Sequence, residues 1–156
     1  MKPYLRMSLY LFFIGYLALL FYLLYFSQYR SYILSLQDRQ LNIVPLRTII
    51  AYFTTFGPLH PKMVMDNFFG NVLAFAPFGL LVPLIWKRMR GLRKVLFLSG
   101  AFSLVIEILQ YVSRVGAGDV DDVFLNTLGG ILGYGCFKIA IGMVSNKKRM
   151  FILGEE

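Results

Sequence analysis

Apolar residues in this chain do not recur as a narrow stripe; they run on in four long stretches separated by polar breaks. The stretches extend from about Ser8 to Phe26, Met65 to Trp86, Val95 to Val112 and Val123 to Val144. Each is close to the roughly 20 residues that carry an α-helix across a bilayer. Because lipid offers no partner to a backbone N–H or C=O, a spanning segment must satisfy its own, and a helix does so. The pattern therefore predicts an all-α membrane protein, a bundle of four transmembrane helices, with residues 1–156 forming one domain. Lys2 and Arg6 ahead of the first stretch would suit a signal peptide. That stretch is long, bulky and aromatic, however, and no small-x-small cleavage site follows Phe26, so a retained anchor is expected.

Between the first two spans the pattern changes. Leu46, Ile49, Ile50 and Phe53 recur at helical spacing just after Pro45, which predicts a short helix lying in the membrane interface. Pro58 and Pro61 are expected to break it before the second span, with His60 between them; a lone interfacial histidine is more often structural than a proton carrier. Inside the second span Pro77 and Pro83 interrupt the hydrogen-bond ladder, so a kink is expected there, and Gly79 adds local freedom. Gly129, Gly130, Gly133 and Gly135 give the fourth span the small-xxx-small spacing that lets helices approach closely. The same glycine face offers a route to a homo-oligomer. No internal repeat or low-complexity tract is evident.

Composition agrees with the pattern, and charge adds a direction. The chain is 58% hydrophobic and 15% charged, with a mean hydropathy of +0.64, far from the balance of a soluble domain. Its net charge is +8, and most of its basic residues lie in three clusters, Lys2 with Arg6, Lys87 through Lys94, and Lys147 through Arg149, while Arg30, Arg39, Arg47, Lys62 and Arg114 are thinly spread on the other side. Four spans place all three on one side, which the positive-inside rule makes cytoplasmic, together with both termini. The charge is thus an orientation and anionic-lipid signal, with no soluble basic surface for a nucleic acid. Cys136 stands alone, which excludes an intramolecular disulfide and a cysteine-only metal site; its apolar surroundings predict a small buried thiol.

Against this background a few polar residues are out of place. Glu107 lies within the third apolar run, where an ionised carboxylate costs several kcal/mol unless paired, protonated or solvated. At 1.5 Å per residue it lies about 18 Å from a cytoplasmic start near Val95, in the outer half of the membrane. Gln110 is a turn further out. Asn67 and Asn71 lie near the outer end of the second span, and Asn126 lies a turn inside Asp122 at the outer end of the fourth. The depths match, so Asn67, Asn71, Glu107, Gln110, Asp122 and Asn126 are expected to face one external cavity, with Asp119, Asp121 and Arg114 at its mouth. Each residue also has a plainer role. Asparagines bond between helices, Asp121 and Asp122 suit a helix N-cap, and Arg114 is the nearest internal counter-charge for Glu107.

These residues carry a resemblance. Asn42-Ile43-Val44-Pro45-Leu46-Arg47-Thr48-Ile49, Asn67 through Gly79 with Pro83, Glu107-Ile108-Leu109-Gln110, and Arg114 with Asp119 through Gly130 and Gly133, in that order on four spans, resemble the VanZ-like family of bacterial membrane proteins. The likeness extends over about residues Ser8 to Ile141. It implies a multi-pass protein of the bacterial plasma membrane with its polar site on the external face. It also implies a link to low-level resistance to the glycopeptide teicoplanin.

Three functions follow as expectations. The first is a cell-envelope protein whose outer-leaflet cavity engages an amphiphile, either a lipid-linked cell-wall intermediate or a lipoglycopeptide, through Asn67, Asn71, Glu107, Gln110, Arg114, Asp119, Asp122 and Asn126. The second is a metal-dependent enzyme acting on a lipid-linked phosphate, with Glu107, Asp119, Asp121 and Asp122 as candidate oxygen ligands. The third is a small transporter that uses Glu107 to carry protons. No cofactor is expected, and membrane lipid is the partner common to all three.

Overall fold

The computed structural model describes residues 3–26, 41–51, 53–54, 61–116 and 118–143. These form α1 (Pro3–Phe26), a short α2 (Arg47–Ala51), α3 (Pro61–Ile85), α4 (Leu92–Val112) and α5 (Val120–Met143). All but α2 are long and apolar enough to cross a membrane. Among the described residues there is no strand, only an isolated parallel bridge between Asn42 and Asp119.

The helices extend past the apolar runs. Pro61 opens α3 instead of breaking the chain ahead of it, because the first residues of a helix have no intrahelical acceptor for an N–H and a proline there loses nothing. The helix continues through Pro77 and ends two residues after Pro83. Pro58 and His60 lie outside the described residues.

Glycines decide which helices touch. A Cβ added at Gly79 would lie 1.9 Å from the Gly130 carbonyl oxygen, one at Gly133 would lie 1.9 Å from that of Ala76, and one at Gly129 would lie 2.2 Å from that of Val72. The backbones of α3 and α5 are therefore in contact, and because Asn71 meets Asp122 while Ala76 meets Gly133 further along both helices, the two run parallel. The close-approach reading of Gly129, Gly130 and Gly133 is met within the chain, while Gly135 faces open space. Contacts between α4 and α5 run the other way: Glu107 meets Asp119, Ser103 meets Asn126, and Ser99 meets Gly130.

The first helix closes the bundle with aromatic rings and two hydrogen bonds to backbone. Phe13 lies 6.2 Å from Phe78, Tyr16 donates to the Ala74 carbonyl at 2.7 Å, and the Leu24 carbonyl accepts from Gln110 at 3.2 Å. Phe78 in turn stacks on Phe102 of α4 at 5.1 Å. Large apolar side chains such as Leu73, Phe97 and Val112 point outward, as they should where the solvent is lipid. Cys136 points outward as well, and is exposed where a buried thiol was expected. A lipid-facing position is as apolar as a core position, so residue type alone does not tell the two apart.

The two ends of the bundle differ in charge. At one end α3 turns into α4 through a 3-10 turn, Lys87–Met89, with Lys87, Arg88, Arg93 and Lys94 exposed. Tyr10, one turn from Arg6, packs edge-on against Trp86, so the start of α1 shares this basic end. Tyr134 ties α5 to the same turn by donating to the Arg90 carbonyl at 2.8 Å. The opposite end carries the acids.

Candidate functional site

The acidic end is built around the start of α5. Gly118 has a φ of +71°, a conformation that favours glycine, and a Cβ there would also press on Leu41 at 2.9 Å. The chain leaves this turn and enters α5 with Asp119 as N-cap, its Oδ1 accepting the Asp121 N–H at 2.9 Å. The cap is thus Asp119, not Asp121 or Asp122, and those two are released for other partners. The backbone N–H of Val120, an orphan donor at the helix start, is taken by the Asn42 carbonyl at 3.0 Å, and Asn42 N–H donates to Gly118 O at 3.0 Å.

Asp119 and Asp121 then fasten the segment 42–49 to the bundle. Asp119 accepts from Asn42 Nδ2 at 2.9 Å and from the Thr48 hydroxyl. Asp121 is fully buried and accepts three backbone N–H groups, from Leu46 at 2.6 Å, Thr48 at 2.8 Å and Ile49 at 3.2 Å. It therefore caps α2, a helix more than seventy residues away in sequence. The convergence of those donors depends on Leu46, whose φ of +65° puts a bulky residue in the left-handed region. That conformation costs on the order of 1–2 kcal/mol and persists because the carboxylate holds it.

Glu107 touches this clamp from below. It is 5% exposed, and its Oε2 accepts the Asp119 N–H at 3.1 Å. Arg114 follows the end of α4 with φ +60°, in the left-handed position that closes many helices, and is exposed; it makes no ion pair with Glu107 among the described residues. The short path from α4 to α5 turns the backbone of Asp119 toward the carboxylate, so the arginine expected as its counter-charge is not its partner.

The remaining polar residues divide into three places. Asp122 is half-buried and accepts from Asn71 Nδ2 at 2.6 Å, which joins α3 to α5; half-buried Asn67 is one turn further along α3. Asn126 is 1% exposed and donates to Ser103 at 2.8 Å, a turn deeper than Asp122. Gln110 is fully buried and points away, to α1. Glu107, Asp119, Asp122, Asn71 and Asn126 are thus brought to one end of the α3–α4–α5 seam, while Gln110 serves the α1 side.

Sequence reasoning missed Asn42, Thr48, Ser99 and Ser103 as members of the site. Asn42 and Thr48 lie in a polar stretch with no local feature that marks them out. The serines had a detectable signal: Ser99, Ser103, Glu107 and Gln110 follow each other by four, four and three residues, one buried face of α4. Among the described residues no group of three or more His, Cys, Asp or Glu side chains is arranged to hold a metal ion. The carboxyl oxygens of Asp119 and Asp121 already accept five hydrogen bonds from the segment 42–49.

The chain is 33% identical over 135 residues to Protein VanZ of Enterococcus faecium, a match that covers 85% of this chain and 75% of the relative. No solved structure matches it. The sequence profile of the VanZ/LLP1 family matches residues 13–141, from the middle of α1 to near the end of α5 with the acidic end between them, and the chain belongs to that family.

Proposed function

We propose that this chain is a plasma-membrane protein that engages an amphiphile at its acidic end, either a lipid-linked cell-wall intermediate or a lipoglycopeptide, and so modulates susceptibility to teicoplanin. The observation that carries this reading is the uneven burial of the polar residues. Glu107, Asp121, Gln110 and Asn126 are buried and engaged inside the bundle, whereas Asp122, Asn71 and Asn67 are half-buried and Arg114 is exposed. The buried group positions helices; the accessible group is what a ligand arriving from the lipid would meet. Asp122 offers a negative charge and Asn71 an amide at the edge of an apolar surface, a pairing suited to a molecule with a polar head and a lipid tail.

The basic clusters support an external position for this end, because Lys87 through Lys94 and the start of α1 share the opposite end. Enterococcal Protein VanZ supports the envelope setting through its similarity.

Isosteric Asp122→Asn removes the charge while leaving an oxygen for Asn71 to donate to, so it separates binding from folding. The test is expression in a teicoplanin-susceptible bacterium at matched membrane levels, alongside binding of teicoplanin and of a polyprenyl-pyrophosphate glycan to the purified protein in nanodiscs. The charge-free variant should lose the protection given by the parent chain and bind one of the two amphiphiles about tenfold more weakly, a loss of roughly 1.4 kcal/mol. Equal protection and equal binding by parent and variant would dismiss the reading.

A further inference from the structure

The face of α4 that begins at Glu107 does not stop there. Ser103 and Ser99 continue it inward at four-residue steps, and both are 0% exposed. Opposite them on α5 are Asn126 and Gly130, also one turn apart. Ser103 accepts the Asn126 amide N–H, but Asn126 Oδ1 and Ser99 Oγ are buried with no hydrogen-bond partner among the described residues. Turning the amide over does not remove the deficit. Its oxygen would then accept from Ser103 and its nitrogen would be the orphan, so in either orientation one end of Asn126 lacks a partner among the described residues.

Two orphan polar atoms on adjacent turns of one seam, inside a membrane, would together cost several kcal/mol unless something small joins them. We propose that the α4–α5 seam binds a buried water molecule that bridges Ser99 Oγ and Asn126 Oδ1. A water offers two donors and two acceptors, which fits a hydroxyl and an amide oxygen. A Cβ added at Gly130 would lie 2.2 Å from Ser99 Oγ. Gly130 thus serves the site by leaving the hydroxyl uncovered.

The hydrated line runs from Glu107 to Ser99 and ends there. The next turn inward is Val95, buried in an apolar cluster with Tyr134 and Phe137. The Tyr134 hydroxyl is turned away to Arg90. The seam is therefore closed toward the basic end, and the bridging water opens no proton path across the membrane.

The experiment is water-edited solid-state NMR on the full-length, isotopically labelled chain in lipid bilayers. Magnetisation should pass from water to the Ser99 and Asn126 side chains well before it reaches Val95; transfer to Ser99 as slow as to Val95 would overturn the proposal. A second arm uses the sign of a stability change in Ser99→Ala, which is small enough to fold. Deleting a hydroxyl bonded to water lowers the thermal midpoint, and deleting an orphan hydroxyl raises it. In the Ser99→Ala, Asn126→Ala double variant, loss of one shared bridge predicts a fall smaller than the sum of the single falls. An unchanged or raised midpoint for Ser99→Ala, or additive falls, would count against the bridge.

Discussion

Asp121 accepts three backbone N–H groups from α2 and its approach while Asp119, two residues earlier, holds the side chains of Asn42 and Thr48. Removing the Asp121 carboxylate strands buried donors and releases the left-handed Leu46. Asp121→Ala should therefore lower stability by about 3 kcal/mol and open the segment 41–51 to protease, whereas Asp122→Asn should leave that segment protected. Protease digestion in detergent, followed by mass, checks both. A clamp equally resistant in Asp121→Ala would mean that the capping bonds contribute little. At this scale the sequence announced the anomaly but not the partner. Glu107 is conspicuous because it interrupts an apolar run. Asn42 and Thr48 lie in an ordinary polar stretch, and nothing local says that a carboxylate seventy residues away will need them. Arg114 was the natural counter-charge by proximity in sequence, yet the turn from α4 into α5 brings a backbone N–H to Glu107 instead.

Among elements, α3 and α5 meet along glycine and small residues, with no side chain between their backbones at Gly79 and Gly133. Adding one methyl group at either position drives it into a carbonyl oxygen, a backbone atom that moves only with its helix. Gly79→Ala and Gly133→Ala should each cost at least the roughly 1–3 kcal/mol typical of overpacking. Gly135→Ala, with nothing within 4 Å, should be neutral or slightly stabilising through helix propensity. Thermal unfolding of the three variants in one detergent makes the comparison, and equal midpoints would show that the helices are not in contact as described. The existence of the four spanning helices was legible from run length alone. Which of them touch was not, because small-xxx-small spacing announces a close approach without naming the partner. The proline at the start of α3 was misread for a related reason: Pro61 looks the same before a helix as within its first turn.

For the molecule as a whole, the distribution of charge between its two ends predicts a direction in the membrane. The basic residues at the α3–α4 turn and the start of α1 share one end, and Arg114 lies at the other. Cysteine placed at Arg88 or at Arg114, with Cys136→Ser to remove the native thiol, reports the orientation in intact cells. A membrane-impermeant maleimide should label the position-114 variant and spare the position-88 variant until the membrane is broken. The reverse pattern would turn the acidic end, and the proposed ligand site with it, toward the cytoplasm.

The bridge between Asn42 and Asp119 joins two stretches separated by nearly half the chain. A ribosome delivers Asn42 long before Asp119, so the segment after the first helix must wait, unclamped, while two more long helices are made. The clamp closes only when the start of the last helix arrives, which makes that segment a record of completed insertion.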